Sequence, residues 1–407
     1  MRLHPFDAVR PQPELAARVA SVPYDVVNRK EAAELARGNP YSFLHVGRSD
    51  IDLPEDLDPH DSRVYNGARA ALDRFMAQGV LVRDGKPALY LYRQIMGSQL
   101  QVGLVGCVHI DDYESDVIRK HEKTRQDKED DRTRHVLTLG AHAEPVFLTY
   151  RERPEINGLT APVLLTAPLY DFTAADDVRH SVWRIADPMS WLDAFRQVPH
   201  AYVADGHHRS ASAWRAGKEL RSSNPAHHGD EEYNWFLAVL FPSDQLTILP
   251  YNRVVRDLGG KTPAEVLQAL RKIGRVSPAS DSQPSRRGTF CIYLANAWHQ
   301  LQLDESGIDR QDPIGSLDVS LLQNRLLGPV LGIGDPRTDD RIDFVGGIRG
   351  TAELQRRVSS GEMAIAFSLY PTTVDQLMAV SDAGAIMPPK STWFEPKLRS
   401  GLFVHTF

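Results

Sequence analysis

Two cysteines in 407 residues, Cys107 and Cys291, leave no disulfide framework and no cysteine-based zinc site to be built. Each stands alone in an apolar, strand-like run ("VGLVGCVHI", "TFCIYLA"), as a reduced core residue does. No stretch approaches the roughly 18 consecutive apolar residues of a membrane-spanning helix. The opening "MRLHPFDAVRPQPELAARVA" carries prolines and charges where a secretory signal needs an unbroken apolar run, so a cytoplasmic protein is expected and export is not. Basic charge is not in excess either. The net charge of −6 argues against broad nucleic-acid binding. Neither a G-x-S-x-G elbow nor a Walker A loop is present, and no internal repeat or low-complexity tract is visible.

What remains is an ordinary globular composition, 42% hydrophobic and 25% charged, long enough for two or three domains or one large core. After the extended "SVPYDVV", Asn28 is placed to cap a helix with Glu31 as its capping-box partner, and Gly38 and Pro40 end it. "NPYSFLHVGRSDIDLP" reads as extended or loop. Val64, Ala68, Ala71, Leu72 and Phe75 have helical spacing. "PALYLYRQIM" and "QVGLVGCVHI" read as a hairpin, "EPVFLTY" as a further strand. Strands pair locally among interspersed helices without regular alternation, which favours an α+β fold with mixed or antiparallel sheets. The pattern changes near 257, where a Ser- and Pro-rich loop follows a helix. A soft boundary within 255–285 is expected, dividing 1–256 from a second α+β region 257–407.

The stretch "HAYVADGHHRSASAW", residues 200–214, reads as a strand ending at Asp205, a turn at Gly206, and a helix closing at Gly217. A strand, turn and helix N-terminus gather backbone N–H groups and the positive helix dipole around one point, which suits phosphate. Arg209 can add a bidentate contact, and His207 and His208 further donors. A carboxylate beside an anion is repulsive unless a cation lies between them, so Asp205 points to Mg²⁺ brought with phosphate. The alternative is a capping aspartate with packed histidines.

The run "RKHEKTRQDKEDDRTRH", residues 119–135, holds no apolar side chain, so as a helix it has no face for a core. His121, Arg125, Lys128, Arg132 and His135 follow 4, 3, 4, 3 spacing, with Glu122 and Glu129 seven apart on an adjacent stripe. Either this is a solvated, ion-paired face, or it is a cationic wall toward polyphosphate in which Lys120 joins and a glutamate serves as base or metal ligand. Asp25 and the Asn39–Ser42 segment are polar residues at element ends, where sites are often built. "GGIRG" is a structural turn, without the spacing of a dinucleotide fingerprint. "MPPKSTWFEPKLRSGLF", residues 387–403, offers Lys390, Ser391, Thr392 and Lys397 as phosphate-compatible donors. It folds back over a site or straps the core.

"VPYDVVN", "NPYSFLHV", "KHEKTRQDKEDDR", "ADGHHRSASA" and "MPPKSTWFEPKLRSGL" together resemble the bacterial family catalogued as domain of unknown function 1015, across nearly the whole chain. That name supplies no reaction. Locally, "DGHHR" resembles the phosphate-binding turn of the ParB and sulfiredoxin-like fold, including archaeal kinases of free serine. The resemblance implies a ParB-like core with large insertions. It also makes Asp205, Gly206, His207, His208 and Arg209 the equivalents of a turn that receives nucleotide phosphates. "VPYDVVNRKEAAELA" is similar to sequence that precedes the turn in that fold, but about 165 residues separate the two here. No cysteine beside the turn matches sulfiredoxin's, so sulfinic acid repair is not implied. Similar kinases use a glutamate base, which no motif fixes here; Glu122, Glu129 and Glu31 are the candidates in that order.

Three functions compete. The first is a kinase moving a phosphoryl group from ATP or ADP to a small hydroxylated metabolite, free L-serine foremost, with Asp205 at Mg²⁺, a glutamate as base, and Lys120, His121, Arg125, Lys128, Arg132, Gly206, His207, His208 and Arg209 around the nucleotide. The second is a metal-dependent phosphohydrolase with Asp205, His207 and His208 as ligands. The third is a nucleotide-binding switch acting through homodimer contacts.

Overall fold

The protein is described by a computed structural model covering residues 1–407. Its first half pairs apolar runs into one mixed nine-stranded sheet. The strands are β1 (Leu3–His4), β2 (Leu89–Met96), β3 (Gln99–His109), β4 (Ile118–Arg119), β5 (Val146–Tyr150), β6 (Tyr170–Thr173), β7 (Arg179–Ile185), β8 (Ala201–Asp205) and β9 (Trp235–Pro242). Their order is β4-β8-β5-β9-β3-β2-β7-β6, with β1 added against β3. Only the β4/β8 and β5/β9 pairs are parallel. The expected hairpin is β2 and β3, with Gln94 opposite Gln101.

Alternation along β2 sends Leu89 and Leu91 into the main core with Leu104, Leu148, Trp183 and Phe236, while Tyr90 and Tyr92 face the other way. On that second face both tyrosine rings meet Phe403 of the C-terminal segment. Buried on both faces, β9 and the stretch 102–108 of β3 are continuous apolar runs rather than alternating ones. Cys107 and Cys291 are both buried and free.

Four helices matter for the site: α1 (Arg29–Ala36), α2 (Ser62–Ala77), α3 (Gln126–Leu139) and α4 (His207–Ser223). The capping box at Asn28 and Glu31 forms as the sequence predicts. Residues 39–54 are not extended. Leu44–Gly47 and Ser49–Asp52 are short helical turns, because Phe43 and Val46 bury against Ala68, Ala71, Leu72 and Phe75 of α2. Helix α4 does not close at Gly217 but runs to Ser223. Gly217 serves close approach instead: a Cβ there would lie 2.6 Å from the Ile110 side chain and 2.7 Å from the Tyr233 carbonyl.

The chain forms two compact units, residues 1–246 with 396–407, and residues 247–395. The second has its own antiparallel six-stranded sheet of β10 (Tyr251–Val255), β11 (Gly274–Pro278), β12 (Thr289–Leu294), β13 (Ala297–Leu303), β14 (Ile342–Gly346) and β15 (Ile365–Leu369), ordered β11-β13-β12-β15-β10-β14. Its core gathers Phe290, Ile292, Leu301, Leu322 and Phe367. The division therefore falls about ten residues earlier than the change of pattern at 257, because β10 is an inner strand of the second sheet. The Ser- and Pro-rich stretch joins β11 to β12 inside that unit, and the last twelve residues return to the first. The architecture is α+β. No helix is long and apolar enough to cross a membrane.

Candidate functional site

Strand β8 ends at Asp205 between β4 and β5, and the chain turns directly into α4. Gly206 makes the turn possible at φ 92°, a conformation that strains any residue with a Cβ. A Cβ here would also meet the Arg209 guanidinium at 3.0 Å. No side chain caps α4, so the first-turn N–H groups of a 17-residue helix are left to an outside acceptor.

Asp205 is the hub. Its Oδ1 accepts the Gly206 N–H at 2.8 Å and its Oδ2 accepts Lys397 Nζ at 2.9 Å, with Arg209 Nη2 3.8 Å from Oδ1. Burial pushes the carboxyl up, but Lys397 and Arg209 overcome it and hold Asp205 well below the usual carboxylate range. Arg209 is itself buried. It donates to the Pro145 carbonyl, lies 3.9 Å from Asp25, and has an Nε without a partner in the protein. Burial disfavours its charge, yet Asp25, Asp205 and Glu144 raise its pKa above the ordinary value. The turn thus holds a carboxylate with two cations against it.

Two histidines stand beside it. His207 is buried, with Nδ1 3.4 Å from Glu122 Oε2 and Nε2 without a protein partner. Its ring meets His121 edge-on at 4.4 Å. His121 is buried too, and neither of its ring nitrogens has a protein partner. Burial keeps both imidazoles neutral, His207 at about 4. Neutral rings of this kind can donate to one oxygen and accept from another. His208 Nε2 accepts the Arg125 N–H at 3.2 Å. Glu122 is 45% exposed at its side chain.

The charged run does not form the wall that its spacing predicts. Its helix starts only at Gln126, so His121 and Arg125 precede α3 and share no stripe with Lys128. Nor is the segment without a buried face: Arg132, Thr133 and His135 are buried, although Arg132 Nη1 and Thr133 Oγ1 have no partner in the protein. Arg132 pairs with Asp131 at 2.8 Å and covers the Tyr24 ring, while His135 Nε2 meets the Val46 carbonyl at 3.2 Å. Lys120 turns to Asp116 and the Tyr113 carbonyl, and Lys128 is exposed. Glu129 is held by Thr124 and Arg215 as a brace between α3 and α4. Glu31 belongs to the capping box of α1.

Two more residues close the site, and only Glu144 does so without standing out in sequence. Glu144 accepts from the Tyr24 N–H at 3.3 Å and Ser400 Oγ at 3.1 Å, and burial raises its pKa despite Arg209 and Arg132. Lys397 lies in the C-terminal segment. The sequence marks it as phosphate-compatible, and only the fold brings it to Asp205.

The Lys397 ammonium occupies the position against Oδ2 that a cation would take. Mg²⁺ therefore fits Asp205 only if the ammonium moves. No three His, Cys, Asp or Glu side chains converge as a metal site, and His207 and His208 meet different partners rather than one point. A cavity of about 30 Å³ behind Arg209, lined by Arg132, His135, His142 and Glu144, is water-sized and too small for a nucleotide.

No curated protein matches this chain. Among solved structures, a free serine kinase in complex with AMP is 13% identical with a TM-score of 0.35, covering 73% of this chain and 90% of that one. SbnI with a C-terminal truncation, from Staphylococcus aureus, is 13% identical with a TM-score of 0.38, covering 74% and 87%. A conserved hypothetical protein from Pyrococcus furiosus is also 13% identical, with a TM-score of 0.34 over 74% and 94%. The family described as protein of unknown function (DUF1015) matches residues 3–320, and the chain belongs to that family.

Proposed function

We propose that the protein is a phosphotransferase that moves a phosphoryl group from ATP or ADP to the hydroxyl of a small metabolite. The uncapped N-terminus of α4, set between Asp205 and the cations Arg209 and Lys397, carries this reading. Phosphoryl transfer asks mainly for positioning and charge neutralisation, and these groups supply both. The acceptor oxygen attacks the terminal phosphorus as the bridging P–O bond breaks. The nucleotide, one phosphate shorter, leaves with the electron pair, and the hydroxyl proton passes to a carboxylate. Glu122 is the first candidate for that base, because it is exposed beside His207. Mg²⁺ bound to the phosphates would neutralise charge there, with Asp205 as its protein ligand. Free L-serine as acceptor rests on the resemblance of Asp205–Arg209 to the turn of free serine kinases.

Phosphorus NMR of the protein with Mg²⁺, ATP or ADP, and a panel of hydroxy amino acids and sugars tests the reading. A new phosphomonoester that requires the acceptor is expected, and Asp205→Asn should slow its formation by about a hundredfold. Acceptor-independent release of phosphate would mean a hydrolase. Binding without turnover would mean a switch, and a rate within a few fold for Asp205→Asn would remove that residue from the mechanism.

A further inference from the structure

The strands nearest the C-terminal segment carry polar side chains where apolar ones would pack at lower cost. Gln94 and Gln101 are fully buried opposite one another in the β2/β3 hairpin. Gln101 Nε2 donates to Gln94 Oε1 at 2.9 Å, and Gln94 Nε2 donates to the Lys397 carbonyl at 2.8 Å. Gln101 also reaches the Pro396 carbonyl at 3.5 Å. Two residues on, Arg399 is buried between His180 of β7 and Asp176, and His180 is tied to the Tyr92 hydroxyl at 2.7 Å. Ser400 exchanges backbone hydrogen bonds with Ser21, and its hydroxyl reaches Glu144. Buried polar groups are tolerated when fully paired, and such networks specify one geometry. Directly or through one partner, these pairs hold residues 396–400. Between its anchors, Lys397 is 14% exposed and aimed at Asp205.

We propose that Lys397, the counter-ion of Asp205, is a phosphate-binding residue that becomes a partner of the nucleotide's terminal phosphate when nucleotide binds. The inference rests on the phosphotransferase reading and adds a residue from the far end of the chain to its site. An ammonium on a flexible stem can pass from carboxylate to phosphate without moving its backbone. Asp205 would then be available to hold a cation that comes with the phosphates. Arg209, buried and donating to the Pro145 carbonyl, has less of this freedom.

Calorimetric binding of ATP and of adenosine to wild type, Lys397→Met, Asp205→Asn and the double variant tests the proposal, with thermal unfolding to verify that each variant folds. Lys397→Met should weaken ATP by about tenfold to a hundredfold and leave adenosine unchanged. The double variant should remain weak relative to Asp205→Asn, because the contact with phosphate is direct. Recovery of ATP affinity in the double variant would overturn the proposal, since Lys397 would then act only by neutralising Asp205. Equal losses for ATP and adenosine would reduce Lys397 to a structural role. If Lys397→Met binds ATP as wild type does while wild type still forms phosphomonoester, this inference fails and the phosphotransferase reading stands. A wild type that binds no nucleotide would end both.

Discussion

Burial pushes the Asp318 carboxyl up to about 6, although it accepts the Gly288 N–H and has Arg287 and Arg310 near it. The folded protein therefore holds this proton more tightly than the unfolded chain, whose aspartates titrate near 3.9. Stability from this group is full below about pH 4 and is lost as pH rises toward about 6. Asp318→Asn keeps an acceptor for Gly288 and removes the ionisation. Its urea midpoint should match wild type near pH 4 and exceed it at pH 7.5; an equal difference at both values would refute the assignment. Asp205 behaves in the opposite sense, because its neighbours are cations it can touch. The same residue type, buried as Asp318 and part-buried as Asp205, thus shifts in opposite directions, decided by the partner.

Helices α3 and α4 show how an element redirects its residues. Glu129 lies in a run whose spacing invites a catalytic reading, yet Thr124 and Arg215 hold both its oxygens. Glu129→Gln should lower the melting temperature by about 2 °C or more while phosphoryl transfer stays within about twofold of wild type. A large fall in rate with unchanged stability would return Glu129 to the site. The cap at Asn28, the hairpin β2/β3 and the turn at Gly206 were legible because capping, alternation and positive φ act within a few residues. The stripe from His121 to His135 was not, because spacing assumes a helix and the helix begins only at Gln126. Gln94 and Gln101 were the overlooked signal: two glutamines within apolar strands demand partners that the strands cannot provide.

At the scale of the molecule, residues 247–395 carry their own sheet and core between two segments of the first unit. That stretch, made alone, should unfold cooperatively in urea with a midpoint like that of any small domain. A chain ending at residue 395 should lose nucleotide affinity at least as strongly as Lys397→Met, since Lys397 and its anchors go with the segment. A gradual, non-cooperative transition of the isolated stretch would show that its core is incomplete. The α+β class, the buried free cysteines and the strand, turn and helix around Asp205 are written in the chain's local pattern, because each follows from periodicity and backbone preference. Which charges meet there depends on long-range packing. Lys397 is 192 residues from Asp205 along the chain and 2.9 Å from it in space. No local pattern encodes a contact that the anchoring of the last segment on the sheet creates.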